Sequence, residues 1–333
     1  MNKTHRSKAY YRYWLLLPLL FLAGCVAMLR HEMDERFGAA NPARYDAPVI
    51  QASSSQPLWR DVKPILDSRC VVCHACYDAP CQFKLSAYEG VTRGASKTRI
   101  YDTLRLLPAQ PTRLFTDANT NIDWRHLGFY PTLNERQDTP EANREGSVLY
   151  RMLNLKRSHP WPEQGSLPAE HFDFRINRDQ QCPSIEEFSS FEGEHPEWGM
   201  PYGFPPISPR EHQTLIQWLE AGAPQSPDPV LNDSLQSRIN TWEAFLNQSS
   251  LKARLMSRYL YEHWFLAHLY FDDLPTGDFF ELVRSTTPPG KPIQVVTTRL
   301  PYGDPGVSRV YYRLRPIRET RVAKTHMQLA LNP

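Results

Sequence analysis

The sequence contains no G-x-G-x-x-G turn, no Walker phosphate loop, no H-E-x-x-H and no G-x-S-x-G. Nicotinamide, flavin and nucleotide binding, zinc proteolysis and serine hydrolysis therefore lack their usual residues. No C-x-x-C separate from Cys70–Cys73 is present, since Cys73-His74-Ala75-Cys76 shares a cysteine with it, so a four-ligand zinc site cannot be completed from two cysteine pairs. Glycine is scarce, with 15 residues against 30 prolines, which favours long irregular connections held by packing. Net charge is small. The formal value is +2, and setting aside Lys3, Arg6, Lys8 and Arg12 leaves about −2. Nothing in this charge balance points to nucleic acid, and none is expected as a partner. The apolar run Trp14 to Ala23 is short for a membrane span.

What is present is concentrated in one run, Cys70-Val71-Val72-Cys73-His74. C-x-x-C-H is the attachment signal of a c-type haem. Two thiols add across the two vinyl groups of the macrocycle, and the two-residue gap matches their separation. The next residue, His74, is carried onto the face of the ring, where it can ligate iron. One covalent haem c is the expected cofactor.

The N-terminus agrees. A positive, acid-free stretch from Lys3 to Arg12 leads into the apolar run, which closes with Leu22-Ala23-Gly24-Cys25. This is the layout of a secretory signal over residues 1–24. Its end resembles a lipoprotein signal, in which the cysteine carries lipid. The expected location is the periplasm, with an anchor at Cys25 and a polar tether over 25–55. With Cys25, Cys70 and Cys73 assigned, Cys76, Cys81 and Cys182 remain in an oxidising compartment. One disulfide and one odd thiol are expected, with three pairings open.

Leu58, Val62, Ile65 and Leu66 share one helical face and predict a helix over 58–68, ahead of the haem motif. Ser208, Pro209 and Glu211 predict a capped helix over 209–221, stopped by Gly222 and Pro224. Further helices are expected near 146–156, over 231–248 and over 251–271. The last is apolar nearly all round in its second half, so burial is expected there. A β-hairpin is expected over 292–315, with 301–306 as its turn and no closing element after it.

The order helix, C-x-x-C-H, Trp198-Gly199-Met200-Pro201 and capped helix resembles the frame of a class I cytochrome c domain. That resemblance implies Met200 as second axial ligand, so the expected metal ligands are His74 and Met200. The expected fold is mainly α. A cytochrome c-like haem domain over 56–228, with a large irregular insertion over about 77–195, precedes an α+β second domain over 229–333 that stops incomplete.

The block Cys70 to Gln82 is more specific than C-x-x-C-H alone. With it occur Gly128-Phe129-Tyr130-Pro131, Leu149-Tyr150-Arg151-Met152-Leu153, Trp198-Gly199-Met200-Pro201-Tyr202-Gly203 and the run Tyr261 to Phe271. From about residue 56 to the end, these runs resemble the bacterial fatty acid cis/trans isomerase family. The resemblance implies a periplasmic haem protein that turns cis double bonds of membrane fatty acids into trans ones without moving the bond. Unsaturated fatty acids or phospholipid acyl chains are then the substrates, met at the membrane surface. Haem is the one group implied here that is suited to one-electron chemistry, and no cosubstrate or net redox change is implied. Family members are longer, so the chain reads as an N-terminal portion. The competing reading is a membrane-tethered electron-transfer cytochrome c. The long gap between ligand loops and the 76–81 insertion favour the enzyme. His263 and His268 stand about 140° apart on a helix and cannot share a site there. Each is expected as a satisfied core histidine, and Arg258 with Glu262 as an i,i+4 surface pair.

Overall fold

The computed structural model describes residues 26–47, 56–100, 110–160, 180–274 and 277–332, with Phe172, Asp173 and Arg175. The expected signal segment and Cys25 lie outside them. No helix among the described residues is long and apolar enough to cross a membrane.

The helices are α1 (26–37), α2 (Trp59–Arg69), α3 (Val71–His74), α4 (Tyr88–Arg93), α5 (Asn121–His126), α6 (Pro140–Glu145), α7 (Val148–Ser158), α8 (Phe188–Glu194), α9 (Pro209–Glu220), α10 (Asp233–Leu246) and α11 (Leu251–Trp264). The strands are β1 (Ala95–Ser96), β2 (Phe129–Tyr130), β3 (Ala267–Tyr270), β4 (Phe280–Ser285), β5 (Tyr311–Pro316) and β6 (Met327–Ala330). β1 pairs with β2, and the other four form one sheet in the order β5-β4-β3-β6. The chain divides into two compact units, Met1–Val62 with Tyr130–Pro224 and Lys63–Phe129 with Gln225–Pro333.

In the first unit, α7 starts where Ser147 caps it. The Ser147 hydroxyl accepts from the Tyr150 N–H at 3.1 Å and donates to the Thr132 carbonyl at 3.1 Å. Val148, Met152 and Leu155 then fall on one face and pack with Ile185, Phe188 and Phe191. Gly199 lies against this helix so closely that a Cβ there would sit 2.1 Å from the Lys156 nitrogen, so the loop needs glycine. α9 carries the expected capping box between Ser208 and Glu211. It ends at Gly222, whose φ of +83° suits glycine.

In the second unit, β3 runs antiparallel to β4 and parallel to β6, and β4 runs antiparallel to β5. Leu235, Ile239 and Leu246 of α10 bury against Leu269, Phe280, Leu282 and Leu314 of the sheet. Each such side chain contributes roughly 1.5–3 kcal/mol on leaving water.

These sheets correct the expectation of a mainly α chain built on a cytochrome c-like domain. The fold is mixed α and β, and the segments bearing Cys70–His74 and Met200 belong to different units. The physical reason is visible at residues 251–271. α11 stops at Trp264, and the apolar run continues as β3, whose Ala267, His268 and Leu269 are all buried. An apolar run buried on both faces of a strand shows the same lack of periodicity as a buried helix. α11 itself is largely exposed, with Leu251 at 81% and Leu255 at 70%. The hairpin is corrected too. β5 pairs with β4 along its length, while Val295 makes only an isolated bridge to Ser285. β6 adds a parallel edge strand where no closing element was expected.

Candidate functional site

The C-x-x-C-H run forms a single helical turn at the end of α2. The Cys73 and His74 N–H groups donate to the Cys70 carbonyl at 3.1 and 3.0 Å, which draws Cys70, Cys73 and His74 together. Cys70, Cys73 and Cys76 carry thiols outside any disulfide, and Cys73 is exposed. Cys81 and Cys182 are disulfide-bonded. Cys76 is thus a thiol beyond the two of the C-x-x-C-H run.

His74 is buried, and its Nδ1 lies 2.9 Å from the Phe83 carbonyl oxygen. A carbonyl only accepts, so Nδ1 bears the proton and Nε2 the lone pair. The Phe83 ring meets the imidazole edge-on at 5.7 Å, and the Leu85 N–H donates to the His74 carbonyl at 2.8 Å. A ligating histidine is normally held this way, with its second ring nitrogen committed to a fixed acceptor. Two thiols outside any disulfide and a tautomer-fixed imidazole fit the donor set of a c-type haem.

The loop after the motif is braced from the far end of the chain. The Thr320 N–H donates to the Ser86 carbonyl at 2.9 Å, Lys84 pairs with Glu319 at 3.0 Å, and Lys324 reaches Asp78 at 3.4 Å. Cys81 and Gln82 hold φ of +54° and +49°, an uncommon region for residues with a Cβ. Gln82 is pinned there. Its amide donates to the Thr98 carbonyl at 2.8 Å and accepts from the Thr112 hydroxyl at 2.6 Å.

A cavity of about 280 Å³ opens beside the motif. Ala75, Cys76 and Tyr77 line one part of it, and Tyr261, His268 and Arg284 another. A larger cavity of about 860 Å³ shares Tyr261, Arg284 and Pro301 with it. His268 sits on β3, with its Nδ1 2.6 Å from Nδ1 of His326 on the approach to β6. One of the two must carry the proton. Burial lowers the pKa of His268, and burial followed by the charge of His268 lowers that of His326. His263 is exposed at the end of α11, 2.7 Å from the Tyr259 carbonyl. Arg258 and Glu262 form the expected surface pair at 2.7 Å. Met200 lies in the first unit, packed with Trp198 on the α7–α8 cluster.

Sequence reasoning missed the arginines of the smaller cavity, Arg93, Arg113, Arg284 and Arg315. They are scattered over more than half the chain, with no spacing that joins them, and only the fold brings them together.

The family model for fatty acid cis/trans isomerase matches residues 109–333, more than half of the chain. The matched span begins downstream of Cys70–His74. No curated protein and no solved structure matches the chain.

Proposed function

The chain belongs to the fatty acid cis/trans isomerase family, and from that premise we propose that it isomerises cis double bonds of unsaturated acyl chains with a covalent haem c. Cys70 and Cys73 would hold the haem by thioether bonds, and His74 would ligate the iron through Nε2. When bound, haem supplies one-electron chemistry that weakens a C=C π bond enough for rotation. Substrate and product have the same composition, so no cosubstrate is consumed. The Phe83 carbonyl fixes the imidazole tautomer, and Leu251, Leu255, Tyr302 and Val307 give the larger cavity apolar side chains among its charged ones.

The observation that carries this reading is the shared cavity. Residues of the haem motif loop and of the family-matched span face the same space within one unit. The geometry of His74 adds support. The leader layout supports a periplasmic location with a lipid anchor at Cys25, and acyl substrates are consistent with work at the membrane surface.

Expressed with haem-attachment machinery in cells with cis-unsaturated membrane lipids, the protein is expected to raise the trans fraction of their fatty acids. Gas chromatography of the methyl esters reads this out. An intact haem protein that leaves the trans fraction unchanged defeats the isomerase reading in favour of an electron-transfer cytochrome. In the same cells, Cys25→Ser should move the protein from the membrane to the soluble periplasmic fraction. Unchanged membrane association would remove the anchor.

A further inference from the structure

Three arginines line the smaller cavity with an Nε–H that is buried and has no acceptor: Arg93, Arg284 and Arg315. Arg315 pairs through another nitrogen with Glu281. The other two have no carboxylate partner among the described residues. Arg93, 2% exposed, donates to the Thr112 carbonyl at 3.0 Å and to the Gln82 carbonyl. Arg284, 5% exposed, donates to the Gly303 carbonyl at 3.0 Å and to the Thr298 hydroxyl. All of these acceptors are neutral.

The nearby acids do not cancel this charge. Glu281 is held by Arg315, and Glu319 by Lys84 at 3.0 Å. Arg113 lies in a bidentate pair with Asp117. Arg93 stacks on Phe129 at 4.5 Å and Arg284 on Tyr261 at 5.1 Å. Such stacking satisfies one face of a guanidinium and leaves its edge donors unserved. Burial accordingly lowers the pKa of Arg93, to about 10. Two buried cations with unfilled donors at one cavity are costly unless an anion joins them. The donor geometry of a guanidinium suits a carboxylate.

We propose that this cavity binds the carboxylate of a free fatty acid, on Arg284 and Arg93, with the alkyl chain running into the adjoining larger cavity. The inference rests on the isomerase family assignment for the identity of the acid. Continuity favours a fatty acid. Beyond the shared Tyr261 and Arg284, the larger cavity has Leu251, Leu255, Tyr302 and Val307 for contact with a hydrocarbon, while Arg254, Arg258, Glu262 and Arg309 also line it.

The test compares oleate with methyl oleate, which keeps the chain and removes the charge. Binding to the full-length haem protein is measured by displacement of a fluorescent fatty acid. The wild type should bind oleate roughly 10- to 100-fold more tightly than the ester, the range of a charge-assisted hydrogen-bonded pair. Arg284→Gln should reduce that preference to within about threefold, and Arg284→Lys should retain part of it. Equal affinity of the wild type for acid and ester overturns the proposal, whatever the variants do. So does a preference that survives Arg284→Gln. If that survival comes with a shifted haem reduction potential, the arginines serve the haem propionates instead. Because binding is read without turnover, an acid preference that collapses as expected upholds the site even where the trans fraction fails to rise. A rising trans fraction with no acid preference upholds the isomerase and removes this site.

Discussion

His74→Ala is expected to abolish isomerisation and change the visible spectrum of the protein, while the haem stays on the chain. Attachment depends on the thiols of Cys70 and Cys73, which the substitution leaves in place. On the proposed reading the iron is held through Nε2, which it removes. Loss of a residue that only orients a ligand already costs roughly 10- to 100-fold, so removing the ligand should lower the rate by more than that. The fold should tolerate the change. The imidazole bonds the Phe83 carbonyl and meets the Phe83 ring edge-on. The backbone bonds of the turn, from Cys73 and His74 to Cys70 and from Leu85 to His74, do not involve the side chain. Added imidazole should enter the vacated space and restore part of the spectrum and rate, which a collapsed fold would not permit. Cys70→Ala and Cys73→Ala should instead weaken covalent attachment, seen as haem lost on denaturation. A His74→Ala protein with wild-type spectrum and full activity would remove His74 from the mechanism.

The parts legible in the sequence share one property: their signals are local. The Ser208–Glu211 capping box and the stop at Gly222 depend on neighbours within a few residues, and each formed. C-x-x-C-H is likewise a local device, and its turn brings Cys70, Cys73 and His74 together. The sheet was illegible because its signal is not local. β3 and β4 are buried on both faces, so neither shows the alternation that marks a half-exposed strand. β5 was located, but paired in expectation with its near neighbour at Val295 rather than with β4. The parallel partnership of β3 with β6 joins residues about sixty positions apart, which no turn signal announces. The arginine cavity failed for the same reason, since Arg93 and Arg284 acquire meaning only once the sheet stands beside the motif loop.

Glu243→Ala is expected to destabilise the second unit strongly, because Glu243 closes an open sheet edge. β5 pairs with β4 on one side only, which leaves its outer N–H and C=O groups to find other partners. α10 supplies them. Glu243 accepts from the Leu314 N–H at 3.0 Å. Asn247, one helical turn further on, accepts from the Tyr312 N–H at 2.9 Å and donates to the Tyr312 carbonyl at 2.8 Å. The spacing works because four residues of helix and two of strand both advance by about 6–7 Å. Glu243 also receives the Nε–H of Arg313 at 2.7 Å, and both side chains are buried. One terminal nitrogen of Arg313 reaches the Pro288 and Lys291 carbonyls, at 2.8 and 3.1 Å, which are neutral. Truncating Glu243 therefore strands a buried guanidinium and an edge N–H together. Breaking a buried pair from one side costs roughly 3–5 kcal/mol. Asn247→Ala, which removes neutral hydrogen bonds only, should cost roughly 1–3 kcal/mol. Replacing Glu243 and Arg313 together by methionine should recover much of the loss, since no charge is then left buried. Urea unfolding of the four proteins, followed by circular dichroism, checks the order. A Glu243→Ala midpoint equal to that of Asn247→Ala, or a double variant no more stable than Glu243→Ala, would show that the buried charge is not what the helix holds in place.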